Sequence, residues 1–206
     1  MMYPHMGLLI PLGESSMHKL GVLISGRGSN MVAIYDRIQS RALEAKIAVV
    51  ISHKPQAEGL TFAVEHGIST AVFEPKEYAS NDAYEQDIVT CLKSFKVDLV
   101  VLAGYMKLVG DPMLQAYEGR MVNIHPSLLP SFKGLNAQKQ ALDYGVKVAG
   151  CTAHYVIRDV DAGPIILQAA VPVLDDDTEA SLSARILEKE HEIFSMAIQE
   201  ALDQLN

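Results

Sequence analysis

An amide and an imidazole stand two residues apart at the end of the apolar segment MVNIHPSLL, residues 121–129. Side chains of a strand alternate between faces, so Asn123 and His125 project from the same side. Pro126 lacks a backbone N–H and ends regular pairing, which places the pair where a loop begins. An amide can donate to a developing oxyanion, and an imidazole can transfer a proton near neutral pH. The pair is a candidate catalytic site; the alternative is a pair that only satisfies backbone groups at a strand end.

A glycine-rich turn, GRGSN over residues 26–30, lies between an apolar segment and an amphipathic helix. Glycine lets the backbone approach a ligand closely, and the free N–H groups and dipole of a helix start favour an anion. The turn therefore predicts a phosphate site. It is not the GxGxxG pattern and it lacks the lysine of a P-loop, so a turn that only connects two elements is the alternative.

Two carboxylates are candidates for supporting roles. Asp161 lies in a loop that contains Gly and Pro, where an Asp usually bonds its own backbone as a turn former. Next to His125, however, the same carboxylate would fix the imidazole tautomer and favour the protonated ring. Glu190 falls inside the apolar stripe of the last predicted helix, so it lies either at the wet margin of that stripe or against a polar ligand.

Two further segments present side chains near strand ends. Tyr105, Met106 and Leu108 follow a strongly apolar strand, where they either line a pocket for a flat heterocycle or pack beneath the next helix. Thr152 and His154 share one face of a later strand. Both groups are candidates for the lining of a ligand site.

These residues are distributed along an alternation of strands and helices. The predicted strands are residues 20–25, 46–52, 70–73, 98–103, 121–125, 148–156 and 165–171. The predicted helices are residues 31–38, 58–66, 81–95 and 137–144. Two further helices are predicted: one with Asp111 as N-cap and Pro112 as its first residue, and one that begins near residue 177 or 178. The rhythm predicts an α/β fold with a doubly wound, mostly parallel sheet and helices on both faces.

Composition narrows the function classes. The chain has 206 residues and a net charge of −8, and an acidic chain without basic clusters argues against nucleic acid and anionic membrane as partners. No apolar run is long enough to span a bilayer. The two cysteines fit no metal or redox spacing, which favours a reducing compartment. Residues 1–16 show neither a core pattern nor a signal peptide, so we expect a disordered extension before one domain over residues 17–206.

Five segments together resemble one enzyme family. They are SGRGSN (25–30), LAGYMKLV (102–109), NIHPSLLPSFKG (123–134), HYVIRDVDAGPII (154–166) and EKEH (188–191). In order and spacing they are similar to the phosphoribosylglycinamide formyltransferases, folate-dependent enzymes of purine synthesis. The HPSLLP and D-x-GP pieces also occur in the wider formyltransferase group, whereas the GxGSN loop is the one that the glycinamide ribonucleotide enzymes use for the substrate phosphate.

The resemblance implies a role for each matching position. The implied catalytic residues are Asn123, His125 and Asp161. The implied substrate-binding residues are Gly28, Ser29 and Asn30 at the phosphate and Glu190 at the glycinamide end. The implied folate-binding residues are Met106, Lys107, Leu108, Val109, Asn123, Arg158, Asp159, Val160 and Asp161, with Thr152 and His154 lining the site. The chain departs from the pattern at Asn81, where several members carry an Arg, and at Lys133 and Asn136, in FKGLN where some members have FPGxH.

The resemblance also implies a Rossmann-like formyltransferase fold and a reaction. That reaction is formyl transfer from the co-substrate 10-formyltetrahydrofolate to the amine of glycinamide ribonucleotide, without a metal, by a cytoplasmic monomer or homodimer. Its partners would be these two small molecules. One alternative is formyltetrahydrofolate deformylase, a family that has NIHHS where this chain has NIHPS and carries an additional N-terminal domain. The other is a catalytically idle folate- or nucleotide-binding protein, against which the intact Asn123, His125 and Asp161 argue.

Overall fold

Seven strands form one sheet in the computed structural model, which describes residues 17–205 of the chain. The strands are β1 (His18–Ile24), β2 (Ala45–Ser52), β3 (Thr70–Val72), β4 (Leu99–Leu102), β5 (Met121–His125), β6 (Val148–Tyr155) and β7 (Ile165–Pro172). The helices are α1 (Ser29–Gln39), α2 (Glu58–Glu65), α3 (Asn81–Ser94), α4 (Asp111–Ala116), α5 (Ala137–Tyr144) and α6 (Glu179–Asp203), with a short 3-10 helix at Pro75–Glu77. The disordered extension predicted for residues 1–16 lies outside the described residues.

The sheet has the strand order β3-β2-β1-β4-β5-β6-β7. The pairs from β3 to β5 are parallel, whereas β6 is antiparallel to both β5 and β7. The prediction of a doubly wound, mostly parallel sheet is therefore confirmed. The strand order reverses at β1, which lies between β2 and β4. Open α/β sheets bind ligands at such a switch point, outside the carboxyl ends of the strands.

The central strands are apolar on both faces because helices cover the sheet from both sides. In β1, Leu20 and Ile24 pack into a core that includes residues of α1, α2 and α6. Leu23 of the same strand packs into a second core with residues of α3 and α4. Each fully buried side chain of this size contributes about 1.5–3 kcal/mol. The continuous apolar run of β1 is thus what a strand covered on both faces requires.

The start of α4 differs from the prediction by one residue. Its N-cap is Gly110, and Asp111 lies in the first helical turn. The prediction of Asp111 as N-cap is wrong because tertiary contacts decide this helix start. Glu85 accepts the Gly110 N–H at 2.7 Å, and the Asp111 carboxylate pairs with Arg158.

The longest helix, α6, begins close to its predicted start. Thr178 is the N-cap, and its hydroxyl accepts the N–H of Ser181 at 3.2 Å in a capping box. Within residues 17–205, no helix is both long enough and apolar enough to cross a bilayer.

Candidate active site

A crevice of about 370 Å³ opens at the carboxyl ends of β1 and β4. Its lining residues are 25–30, Ala103, Gly104, Met106, Ile124, Pro126, Gln138, Ser183, Leu187 and Glu190. A depression of similar size, about 390 Å³, lies between residues 126–132 and α5, and none of the predicted site residues lines it. The crevice is the candidate site because it lies at the switch point and contains the predicted phosphate turn.

Gly28 shapes the glycine-rich turn at the start of α1. It is the N-cap of that helix with a φ of +75°, and its carbonyl accepts the Val32 N–H at 2.9 Å. A Cβ added at Gly28 would lie 3.0 Å from the Cα of Gly59, so glycine is needed for both conformation and space. The first turn of α1 contains no acidic residue, and its free N–H groups point to where an anion can bind.

The carboxylate of Glu190 lines the same crevice beside the glycine-rich turn. Asn30 Nδ2 donates to Glu190 Oε2 at 2.8 Å, and the Glu190 residue is only 7% exposed. The alternative of a wet margin is therefore wrong. Burial raises the pKa of Glu190, and the hydrogen bond from Asn30 opposes that rise only in part. A buried carboxylate of this kind favours a ligand that donates hydrogen bonds or carries positive charge.

His125 is held between two acceptors. Its Nδ1 lies 3.3 Å from Asp161 Oδ2, and its Nε2 lies 3.0 Å from the carbonyl oxygen of Phe132. An imidazolium would donate to both acceptors at once, whereas a neutral ring can donate to only one of them. The residue is buried, and the predicted proximity of Asp161 and His125 is observed. The arrangement can hold a positive charge beside Asn123.

The antiparallel pairing of β5 and β6 brings a second polar pair to the same face. Its register sets Asn123 opposite His154 and His125 opposite Thr152. His154 Nδ1 donates to the carbonyl of Tyr155 at 2.8 Å, and its Nε2 lies 3.2 Å from Asn123 Nδ2, a contact whose direction the ring tautomer sets. The Asn123 amide is thereby oriented, and its second N–H remains for a ligand.

Asp161 connects three segments of the site. Its φ of +47° is the left-handed conformation that turn-forming Asp tolerates. Its carboxylate nevertheless reaches beyond its own turn, because Oδ2 accepts the Gly134 N–H at 2.8 Å and Oδ1 lies 3.7 Å from His154 Nε2. Burial alone would raise the pKa of Asp161, but His154, the Gly134 N–H and the charge of His125 together hold it below its usual value. The carboxylate therefore stays ionised at neutral pH.

Thr152 has a supporting position rather than the lining position implied by the resemblance. Its fully buried hydroxyl donates to the Ser127 carbonyl at 2.7 Å and accepts the Leu129 N–H at 3.0 Å. Gln168 Nε2 donates to the Leu129 carbonyl and to Thr152 Oγ1, each at 2.9 Å. These bonds fix the loop that carries the Phe132 carbonyl. Thr152 thus acts on the site through the loop, which corrects the expectation.

The segment after β4, residues 104–110, presents apolar side chains beside the crevice. Met106 is 65% and Leu108 72% exposed, so for these two the alternative of packing beneath α4 is wrong. Tyr105 is buried and does pack. Lys107 Nζ lies 5.4 Å from the ring centroid of Tyr84, and Val109 is half-buried.

The second predicted folate segment lies between β6 and β7. Arg158, Asp159 and Val160 are exposed. Arg158 forms an ion pair with Asp111, in the first turn of α4, directly after the 104–110 segment. An ion pair between exposed side chains thus connects the second segment to the residue that follows the 104–110 segment.

Several residues of the site were not predicted from the sequence. Phe132 contributes a backbone carbonyl, which no side-chain pattern reveals. Gly59 contacts Gly28 from the start of α2, a distant part of the chain, and only its helix-start position hints at a role. Within residues 17–205, no group of three or more His, Cys, Asp or Glu is arranged to hold a metal ion.

Comparison with known proteins finds a matching family and relatives that cover most of this chain. A family model described as "Formyl transferase" matches residues 18–198. The chain is 44% identical over 186 residues to the phosphoribosylglycinamide formyltransferase of Bacillus subtilis, covering 90% of this chain and 95% of that protein. It is 48% identical over 186 residues to the human trifunctional purine biosynthetic protein adenosine-3, but spans only 18% of that protein's length, with 90% of this chain covered.

Solved structures also superpose on most of this chain. Glycinamide ribonucleotide transformylase 1 from Symbiobacterium toebii superposes with a TM-score of 0.89 at 50% identity, covering 91% of this chain and 89% of that one. A formyltetrahydrofolate deformylase from Pseudomonas syringae superposes with a TM-score of 0.85 at 27% identity, covering 92% of this chain but only 63% of that one.

Proposed function

Because the chain belongs to the formyl transferase family, we propose that it transfers a formyl group from 10-formyltetrahydrofolate to the amine of glycinamide ribonucleotide in purine biosynthesis. The names of relatives that this chain matches over most of its length support the choice of substrate. The observation that carries the proposed chemistry is the His125 ring, which bridges Asp161 and the Phe132 carbonyl beside Asn123.

In the proposed mechanism the substrate amine attacks the formyl carbon. A C–N bond forms, and the carbonyl oxygen becomes the oxyanion of a tetrahedral intermediate. The free N–H of Asn123 and the protonated His125 stabilise that oxyanion. The C–N10 bond of the folate then breaks, and the proton lost by the amine reaches N10 through an ordered water held by Asp161. Positioning two substrates at attack distance supplies much of the rate.

The crevice is proposed to hold the nucleotide. The backbone N–H groups of Gly28, Ser29 and Asn30 would bind the phosphate at the start of α1. Glu190 would accept hydrogen bonds from the glycinamide end. Asn30 Oδ1 is buried without a hydrogen-bond partner among residues 17–205, which is unusual for a buried polar atom unless a ligand supplies the donor.

The folate is proposed to bind between the two predicted folate segments. Residues 106–109 would offer backbone groups and the exposed apolar surface of Met106 and Leu108 to the flat pterin. Residues 158–161 and Asn123 would complete this pocket. The folate N10 would then lie near the His125 and Asp161 side chains.

Formyltetrahydrofolate deformylase and a catalytically idle binding protein are the competing functions. The discriminating assay supplies 10-formyltetrahydrofolate with and without glycinamide ribonucleotide. We expect tetrahydrofolate to form only when the amine is present, with the formyl group on the nucleotide. Formate release without the amine would identify a deformylase, and no turnover in either case would identify an idle protein.

The remaining features of the proposal concern the whole chain. Residues 17–206 would form the single formyltransferase domain, acting in the cytoplasm as a monomer or homodimer on its two small-molecule substrates. Both cysteines, Cys91 and Cys151, are free thiols, which is compatible with that compartment.

A further inference from the structure

Helix α3 holds the 104–110 segment at both of its ends. We propose that Tyr84 and Glu85, consecutive residues of α3, are positioning residues that fix this segment for folate binding. The inference rests on the proposed function, because the segment is assigned to the folate by that proposal. Neither residue is among the predicted site residues. Each acts indirectly, Glu85 through the backbone N–H of Gly110 and Tyr84 through the side chain of Tyr105.

Glu85 anchors the far end of the segment. It is 1% exposed, and its Oε1 accepts the Gly110 N–H at 2.7 Å and Asn81 Nδ2 at 3.0 Å. A Cβ added at Gly110 would lie 3.0 and 3.1 Å from the two carboxylate oxygens, so the backbone rests directly on this group. Burying a carboxylate is unfavourable unless its hydrogen bonds compensate, and here the Gly110 N–H is a main compensating partner.

Tyr84 anchors the near end. Its hydroxyl lies 2.6 Å from the hydroxyl of Tyr105, and both residues are buried. Burial raises the pKa of both phenols, so both keep their protons and one donates to the other. Between the two anchors, Met106 and Leu108 remain largely exposed.

Residues 158–161, the second segment assigned to the folate, are linked to the Glu85 anchor. Gly110 is held by Glu85, and the next residue, Asp111, pairs with Arg158 of the loop between β6 and β7. Loss of the Glu85 carboxylate would therefore loosen both walls of the proposed folate pocket. A loop that is ordered before binding loses less conformational freedom when the ligand arrives, so the anchors are expected to act on folate affinity.

The test compares Glu85→Ala, Glu85→Gln and Tyr84→Phe with Gln86→Ala, an exposed neighbour on the same helix. For Glu85→Ala we expect the KM for 10-formyltetrahydrofolate to rise about tenfold, with kcat and the KM for glycinamide ribonucleotide within about twofold. Glu85→Gln should recover most of the affinity because its amide oxygen can accept the Gly110 N–H. Tyr84→Phe should give a smaller rise, about threefold, and Gln86→Ala none.

Amide hydrogen exchange tests the anchoring without any turnover. In the unliganded protein, we expect Glu85→Ala and Tyr84→Phe to speed exchange over residues 104–111, and Gln86→Ala to leave it unchanged. Unchanged exchange and unchanged folate KM in both variants would overturn the inference. So would an equal loss of kcat and of affinity for both substrates, since that pattern indicates general destabilisation. An inactive wild-type protein would contradict the proposed function, and the exchange rates would still decide whether α3 anchors the segment.

Discussion

The proposed site has two parts that are built by different means: a binding end, which is the crevice, and a catalytic end on β5 and β6, whose polar side chains are not among those that line the crevice. The binding end follows β1 in the parallel half of the sheet and consists of backbone N–H groups, two closely packed glycines and one buried carboxylate. The catalytic end lies on the antiparallel pair β5 and β6 and consists of side chains that orient one another. Backbone N–H groups can bind an anion but cannot exchange a proton, and the one carboxylate of the binding end is assigned to substrate binding. We therefore expect damage to the catalytic end to lower kcat and damage to the binding end to raise KM.

Asp161→Asn should have the largest effect, and it acts on the catalytic end. Asn keeps the size of the side chain and tolerates its left-handed backbone, but loses the charge that faces His125. We expect kcat to fall by about two orders of magnitude or more, the usual scale for lost acid–base assistance, with much smaller changes in KM. Asp176→Asn, the same change at an exposed position before α6, is the control. A near-normal kcat in folded Asp161→Asn protein would leave Asp161 as a turn former only.

Glu190→Gln should have the next largest effect, at the binding end. Hydrogen bonds to a charged group are worth about 1.5–3 kcal/mol, so the KM for glycinamide ribonucleotide should rise about 10- to 100-fold while the folate KM stays constant. Steady-state kinetics with each substrate varied in turn measures both constants. Equal weakening of both substrates would remove Glu190 from the nucleotide site.

The same variant should be more stable than the wild type at neutral pH. Burial raises the folded-state pKa of Glu190, so the folded protein binds this proton more tightly than the unfolded chain does. By linkage, the wild type loses stability as pH rises from the unfolded-state pKa through the raised one, and Glu190→Gln does not. Urea unfolding at several pH values should show a difference at pH 7 that disappears at acidic pH. A constant difference would mean that the titration of Glu190 does not cause it.

Gly28→Ala tests the phosphate turn with a smaller expected effect. The added Cβ would meet Gly59 Cα at 3.0 Å in a backbone conformation that favours glycine, so the turn must shift. We expect the KM for glycinamide ribonucleotide to rise about tenfold, because the displaced N–H groups no longer converge on the phosphate. Gly26→Ala is the matched control, since nothing lies within 4 Å of a Cβ there. Equal effects of the two substitutions would contradict a specific role for Gly28.

Removal of residues 1–16 should have the smallest effect. A chain that begins at Met17 keeps β1, whose first residue is His18. We expect its Tm, its kcat and its KM for each substrate to match those of the full chain. A clear loss of Tm or of kcat would show that the first sixteen residues support the domain.

Features set by neighbouring residues could be predicted from the sequence alone, whereas features set by distant parts of the chain could not. Strand patterns, and caps such as Thr178, are local, so the sheet and α5 were predicted with bounds that match or nearly match. The start of α4 was misplaced because Glu85 and Arg158 decide it from other parts of the chain. The glycine-rich turn, a single strand–turn–helix unit, is also local and was predicted from the sequence, and its role in phosphate binding stays a prediction.

The catalytic end was predicted less completely because it depends on register. The Asn123 and His125 pair follows from strand alternation, but its alignment with His154 follows only from the β5–β6 pairing. The position of Thr152 was misjudged for a related reason, since a loop from the neighbouring strand covers its hydroxyl. The Phe132 carbonyl could not be predicted because a backbone acceptor leaves no mark in side-chain chemistry.

The most direct test of the catalytic end is a single turnover with 10-formyltetrahydrofolate labelled in the formyl group. Wild-type enzyme in excess is mixed with the labelled folate and glycinamide ribonucleotide, and the products are analysed by mass spectrometry. We predict that the label appears on the nucleotide amine, and that Asp161→Asn protein saturated with both substrates transfers it about a hundredfold more slowly. Label released as formate, or equal transfer rates in the two proteins, would contradict the account.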